Sequence, residues 1–438
     1  MERATTSPEI GQRLDHMPVT RLHCLAIVLC ALGFTFDLLE ISLGSALSAV
    51  FSGGPLAAKP AALSLLLSSV YLGAIVGAPA AGWLADRFGR RIMLVSVLLL
   101  MATASLAGAA SSGVGELTVW RAVGGLALGG FPPLMIAYLT DILPAGRRGA
   151  LIFVTVAIGS LGPAAGIFLI RALVLEQPLG IEAWRWGFIA GGIGAGVVGL
   201  LCLLLPESPR WLQARQRPRD ADRVCRQLER SPMVLSMLAP QPIGQADVMV
   251  AGWRRWLLVA ALFFLSPWAT VAFPLLMGAI LSQQGFRLTD TLLYVGLSSF
   301  GPLVGTLVSS LVIDRIGRRA ALTGCATMML ACGALFVSTG APAWLIAGSF
   351  GFGLFAILFV SVLNLYASEL FPTRTRATSI AAAWSFNRAG AACAPFVLLP
   401  LLSYAGSQAM FVLIGATLLA SVALLAVAPP GPAGGSIG

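Results

Sequence analysis

Charge is scarce in this chain. Only 11% of its 438 residues are Asp, Glu, Lys or Arg, against about 25% in soluble domains. Histidine is rarer still: His16 and His23 are the only two, both near the N-terminus. That shortage excludes imidazole catalysis and histidine-rich metal sites, and no nucleophile constellation suggests an enzyme. The seven cysteines are scattered and form no CxxC pair, so neither a disulfide framework nor a bound metal is expected. No cofactor is expected either. Lys59 is the one lysine among 28 basic residues. The net charge of +10 has no soluble basic face to sit on, which argues against a nucleic-acid partner.

What the chain has in excess is apolar sequence, at 58%. The stretches 92–115, 122–140 and 320–368 carry no charge at all. A helix of about 20 residues crosses a bilayer, and helices satisfy their own backbone groups in lipid. The hydropathy predicts an all-α membrane protein of twelve transmembrane helices. They are expected at about 22–47, 62–84, 92–111, 116–139, 150–173, 185–205, 256–281, 291–312, 320–339, 343–367, 378–403 and 407–428. With the N-terminus in the cytoplasm, 22 of the 28 basic residues fall on that side. The bias predicts both termini inside a bacterial inner membrane.

One charged hairpin occurs twice. Asp86-Arg87-Phe88-Gly89-Arg90-Arg91 returns as Asp314-Arg315-Ile316-Gly317-Arg318-Arg319 at an offset of 228. The same offset carries Tyr138 onto Tyr366, Asp141 onto Glu369, Pro144 onto Pro372 and Arg148 onto Arg376. Shared register at so many anchors predicts two pseudo-symmetric six-helix halves, residues 1–205 and 254–438. A polar connector, 206–253, joins them, with a surface helix in its first part. Paired halves of this kind place a substrate site between them near the bilayer midplane. Gly125 and Gly129, in step with Arg121, offer a small-residue face for close helix packing.

Gly82 to Arg91 resembles the loop signature of the major facilitator superfamily, and the resemblance extends over nearly the whole chain. Pro206-Glu207-Ser208-Pro209-Arg210-Trp211-Leu212 and Glu369 to Thr378 are similar to segments shared by sugar porters, organic ion transporters and aromatic-acid:proton symporters. Asp37-Leu38-Leu39-Glu40 resembles the paired acids of the last group, with Leu38-Leu39 replacing its usual small-plus-aromatic pair. Asn387-Arg388-Ala389-Gly390 resembles the place where organic anion transporters carry an arginine. The resemblance implies that the hairpin residues Asp86, Arg87, Arg90, Arg91, Asp314, Arg315 and Arg318 gate the protein. Asp86 would meet the start of helix 11 in the opposite half. Asp141, Arg148, Glu369 and Arg376 would join that gate.

The buried charges carry the chemistry. Of 18 acids, only Asp37 and Glu40 lie well inside a span, where each costs about 2.5–3.5 kcal/mol even on lenient scales. At i and i+3 they share a helix face. Close like charges disfavour ionising both, so one is expected to hold a proton and to couple it to transport. Alternatively, one neutralises a nearby arginine. Arg388 sits near mid-membrane, and its planar fork suits a substrate carboxylate. Asn387 beside it, Arg121, Trp384 and Phe36 complete the expected substrate site. Trp268, Phe273, Tyr294 and Phe300 are further ring-pocket candidates. The expected function is proton-coupled symport of a small organic acid, an aromatic carboxylate, by a monomer in the lipid bilayer. Two alternatives stay open. Gly162-Pro163 resembles a pattern in proton-driven exporters, and the Pro206–Leu212 segment suits a sugar or polyol porter.

Overall fold

The computed structural model describes residues 10–53, 56–229, 253–312, 317–370 and 376–427. Its long elements are all helices, and their bounds follow the apolar runs. The first half contains α2 (Arg21–Ser52), α3 (Pro60–Phe88), α4 (Arg90–Ala110), α5 (Val114–Ile142), α6 (Arg148–Gly159), α7 (Gly162–Leu173) and α8 (Ala183–Leu201). The second contains α11 (Trp253–Thr270), α12 (Ala272–Gln283), α13 (Leu288–Ser298), α14 (Phe300–Val312), α15 (Arg318–Ser338), α16 (Pro342–Leu370) and α17 (Arg376–Val427). Short α1 (Ile10–His16), α9 (Pro209–Ala214) and α10 (Pro218–Glu229) lie outside the spans.

Three predicted spans are interrupted near their middles. They break between α6 and α7, between α11 and α12, and between α13 and α14. A proline follows each break: Pro163, Pro274 and Pro302. Proline has no N–H to continue the ladder and its ring crowds the carbonyl four residues back. The last two spans, expected as separate helices, run as one element that turns at Gly406 (φ 80°, ψ 178°). Only glycine reaches that backbone region without strain. The chain therefore makes its final reversal in a single residue.

Small residues set the closest approaches. Gly73 and Gly77 on α3 lie against the backbone of Ala122 and Leu126 on α5, while Gly125 and Gly129 lie against Val70 and Ala74. An added Cβ at any of the four would collide with backbone, so these two helices meet main chain to main chain. Between the halves, Gly278 of α12 sits on the Ser45 carbonyl of α2 in the same way. The Ser64 hydroxyl donates to the Pro395 carbonyl at 3.0 Å, and Arg171 Nε donates to the Thr289 carbonyl at 3.1 Å. These contacts join the halves at the end remote from the Asp86 hairpin.

The N-terminal segment forms α1 and packs on the connector. Ile10, Leu14 and Met17 share a small core with Leu212, Ala221, Cys225 and Leu228. Arg13 pairs with Asp222 at 2.7 Å and Glu229 at 2.8 Å. Arg226 and Arg13 hold the Asp222 carboxyl below the usual carboxylate range. The first part of the connector is thus helical, as its amphipathic pattern predicts.

Candidate functional site

The site is built around the two acids of α2. Glu40 is buried, 4% exposed, and does not stand alone. Arg121 Nη1 of α5 donates to Glu40 Oε2 at 3.1 Å and to the Glu40 carbonyl at 2.9 Å. The Ser105 hydroxyl of α4 donates to Glu40 Oε1, within reach of the Phe188 carbonyl at 3.0 Å. The Arg121 guanidinium also lies 5.6 Å from the centre of the Phe188 ring. Glu40 is therefore an ion-pair partner, locked inside the first half by three other helices.

Asp37, one turn earlier, is different. It is fully buried, and neither carboxylate oxygen has a hydrogen-bond partner among the described residues. An unpartnered buried charge is expensive, so this pocket suits the neutral acid. The strongest charged influence on Asp37 is Arg388, followed by Glu40. No ion pair within 4.0 Å joins Asp37 and Arg388 among the described residues. Asp37 belongs to α2 in the first half and Arg388 to α17 in the second. Arg388 Nε has no partner, and its guanidinium lies 5.6 Å from the centre of the Trp384 ring.

A cavity of about 290 Å³ opens beside them, between the halves. Its walls come from α2, α3, α12 and α16 and from all three helix breaks. Discontinuous helices at mid-membrane are where transporters of this kind bind substrate. Tyr71 of α3 lines the cavity and was not singled out by sequence. A lone tyrosine in an apolar span carries no signal that sets it apart from packing. Of the aromatic candidates, Phe273 lines the cavity.

The other expected substrate residues lie elsewhere. Asn387 is buried, and its amide donates to the Ser266 hydroxyl at 3.1 Å, tying α17 to α11. Phe36 covers Gly194 of α8 within the first half. Trp384 packs edge-on against Phe263 at 5.5 Å. None of the three lines the cavity. Neither Arg388 nor Arg121 is among the residues lining the cavity.

The hairpin is held by contacts within the first half. Asp86 pairs with Arg90 of its own hairpin at 2.7 Å, and its side chain is 69% exposed. The side chains at the start of helix 11, its expected neighbour, lie outside the described residues. Arg148 pairs with Asp15 at 3.0 Å rather than with Asp141, because α1 packs beside it. Asp141 accepts from the Ser208 hydroxyl at 2.8 Å and lies 3.8 Å from Arg90. Glu207 caps α4, accepting from the backbone N–H of Arg90 at 2.9 Å and of Arg91 at 3.1 Å. A carboxylate there is favoured by the helix dipole. The Pro206–Leu212 segment thus braces the hairpin, with Trp211 donating to the Asp86 carbonyl at 2.9 Å. Arg87 lies over Trp83 and Phe88 at 5.7 and 5.6 Å. In the second half, Arg318 begins α15. Asp314 and Arg315, and the side chains of Glu369 and Arg376, lie outside the described residues.

Among the described residues, eleven helical stretches are long and apolar enough to cross a membrane, and with a cavity between two matched halves they define a multi-pass membrane transporter. The chain belongs to the major facilitator superfamily, whose model matches residues 24–395 and 259–437. It is 25% identical over 434 residues to the niacin transporter NiaP of Acinetobacter baylyi, covering 96% of each chain. It is 26% identical to the arabinose-proton symporter of Bacillus subtilis, covering 85% of each. Among solved structures it resembles a D-xylose-proton symporter, with a TM-score of 0.72, 20% identity, and 94% and 98% of the two chains covered.

The geometry separates the two acids in a measurable way. Glu40→Gln leaves Arg121 buried without its counter-charge, a loss of about 3–5 kcal/mol for a broken buried pair. Asp37→Asn orphans no hydrogen bond. Thermal unfolding in detergent should therefore fall clearly for Glu40→Gln and little for Asp37→Asn. Equal losses would mean that Asp37 has a structural partner after all.

Proposed function

We propose that the chain is a proton-coupled symporter that takes up a small organic acid, an aromatic carboxylate, by alternating access. The protein sits in the bacterial inner membrane with the hairpin end and both termini in the cytoplasm. The observation that carries this reading is the Asp37 carboxyl, fully buried and without a hydrogen-bond partner, next in sequence to Leu38 of the cavity wall, with the Arg388 guanidinium on the opposite half. Asp37 holds the proton. Arg388 balances its charge when the proton leaves, and attracts the substrate anion when the proton is present. Glu40 sets the position of Arg121. The relation to a niacin transporter supports the same reading, since niacin is itself a ring carboxylate. The arabinose-proton relative favours a second reading, a sugar porter, which would use the hydroxyl-lined cavity without needing Arg388.

Uptake into cells separates the two. A panel of labelled aromatic carboxylates and pentoses is offered, with and without a protonophore. The proposal expects carboxylate accumulation that collapses to equilibrium when the protonophore is added. Pentose uptake without carboxylate uptake would replace it with the sugar reading.

A further inference from the structure

The start of α2 is fastened by a histidine that its neighbours accept in one protonation state. Thr20 is the N-cap of α2, and His23 stands at the third helical position. Both are fully buried. The Thr20 backbone N–H donates to His23 Nδ1 at 3.0 Å, and the Thr20 hydroxyl lies 2.9 Å from the same nitrogen. Across the ring, Nε2 lies 3.0 Å from the Ile142 carbonyl at the end of α5. A backbone N–H only donates, so Nδ1 is an acceptor. A carbonyl only accepts, so Nε2 carries the hydrogen. The partners on both sides select the neutral ring and one of its two tautomers.

The choice of residue gives this cap a property that caps ordinarily lack. A capping box places Glu or Gln at the third helical position, to accept from the N-cap N–H. Neither titrates near neutrality, whereas an ordinary histidine does, at about pH 6.5. A second proton on His23 would sit on Nδ1 and point at the Thr20 N–H. Donor would then face donor, and the bond to the N-cap would be lost. The cation would also stand at the positive end of the α2 dipole.

The charged groups on the surrounding elements are committed to one another. On α1, Arg13 pairs with Asp222 and Glu229, and Asp15 pairs with Arg148 of α6 and Arg210 of α9. On α5, Asp141 accepts from Ser208 and stands 3.8 Å from Arg90. Arg21 on α2 is exposed, and Arg147 caps α6; both have the wrong sign to balance a charged ring. The remaining titratable neighbours are the Cys24 thiol, next on α2, and the Tyr138 hydroxyl, which donates to the Pro206 carbonyl. Among the described residues the ring bonds only to Thr20 and Ile142.

We infer that His23 is a pH-sensitive clasp. Neutral, it ties the start of α2 to the end of α5, beside the Asp141 that Ser208 braces to the connector. Charged, it lets the start of α2 open. Both buried acids ride on α2, so a loosened start slows the carrier. With the orientation proposed above that end faces the cytoplasm, and the clasp then limits the acid load that a proton symporter brings in. That last step rests on the symport reading; the clasp itself does not.

The first test is nitrogen NMR of histidine-labelled full chain in detergent. His16 and His23 are the only histidines, so His16→Gln leaves a single ring to observe. At about pH 7.5 the ring should be neutral with its hydrogen on Nε2. A charged ring, or a hydrogen on Nδ1, would overturn the clasp. Hydrogen exchange over residues 20–26 is then compared with His23→Gln at equal pH, where intrinsic rates cancel. Gln keeps an acceptor for the cap and does not titrate. The exchange ratio of wild type to variant should be near one at about pH 7.5 and rise about three- to tenfold near pH 5.5, the size of a lost helix cap. A ratio that does not change with pH would also overturn the clasp. Counterflow of labelled benzoate in proteoliposomes, with the same pH on both faces, reads the effect on transport. His23→Gln should run faster than wild type near pH 5.5 and match it at about pH 7.5. Matching rates at both would remove the regulatory role. Benzoate carried by neither protein would count against the organic-acid reading, and the exchange ratio would still decide the clasp.

Discussion

Asp37→Asn is expected to abolish accumulation of substrate driven by a pH gradient, while substrate exchange across the membrane continues. An amide fills the same space but takes up no proton at working pH. Asp37 has no hydrogen bond to lose, so the variant should fold and reach the membrane. Its carrier can still shuttle in the protonated-like, neutral state, which is why exchange survives. Net uptake against a gradient requires the proton to leave Asp37 on the far side of the cycle. The measurement is accumulation and counterflow in proteoliposomes, run in parallel. Accumulation at the wild-type level would show that the coupling proton rides elsewhere, with Glu40 the next group to test.

The second large effect is at Arg388. A charge-assisted hydrogen bond to a carboxylate contributes about 1.5–3 kcal/mol, or roughly ten- to a hundredfold in Kd. Arg388→Ala should lose that much for the acid substrate and little for its neutral amide. Arg388→Lys keeps the charge without the planar fork, and should fall between. Titrating acid and amide against wild type and both variants gives the full comparison. If acid and amide weaken together, Arg388 acts only as the counter-charge of Asp37. The organic-anion assignment would then lose its main support.

Much of this architecture is legible in the sequence because lipid is an unforgiving solvent. A span must be long, apolar and helical, so its position shows directly in the charge-free runs. The duplicated hairpin shows the two halves because charged turns between apolar runs have few alternatives. The buried acids stand out for the same reason: at Asp37 and Glu40 the surroundings make any carboxyl conspicuous. What the sequence does not show is which arginine each acid meets. Glu40 takes Arg121 because α5 packs on α2 within the first half, a fact of tertiary packing. Asn387 sits beside Arg388 in sequence, yet helical geometry turns it 100° away, onto Ser266. Tyr71 and the cavity serines are ordinary span residues until the helix breaks bring them to one wall. The bracing role of Glu207 is hidden too, because it depends on where the α4 N-terminus ends up.

The placement of the four buried charged groups has an electrical consequence. Glu40 and Arg121 both belong to the first half and move as one neutral unit. Asp37 and Arg388 belong to different halves, so their charges cancel across the moving seam. In the proposed cycle the empty carrier returns with Asp37 ionised opposite Arg388, summing to zero. The loaded carrier crosses with Asp37 protonated and a monovalent anion at Arg388, again summing to zero. Moving one net charge through 100 mV would cost or release about 2.3 kcal/mol, and neither crossing moves one. Transport should then respond to the pH difference alone and ignore the voltage.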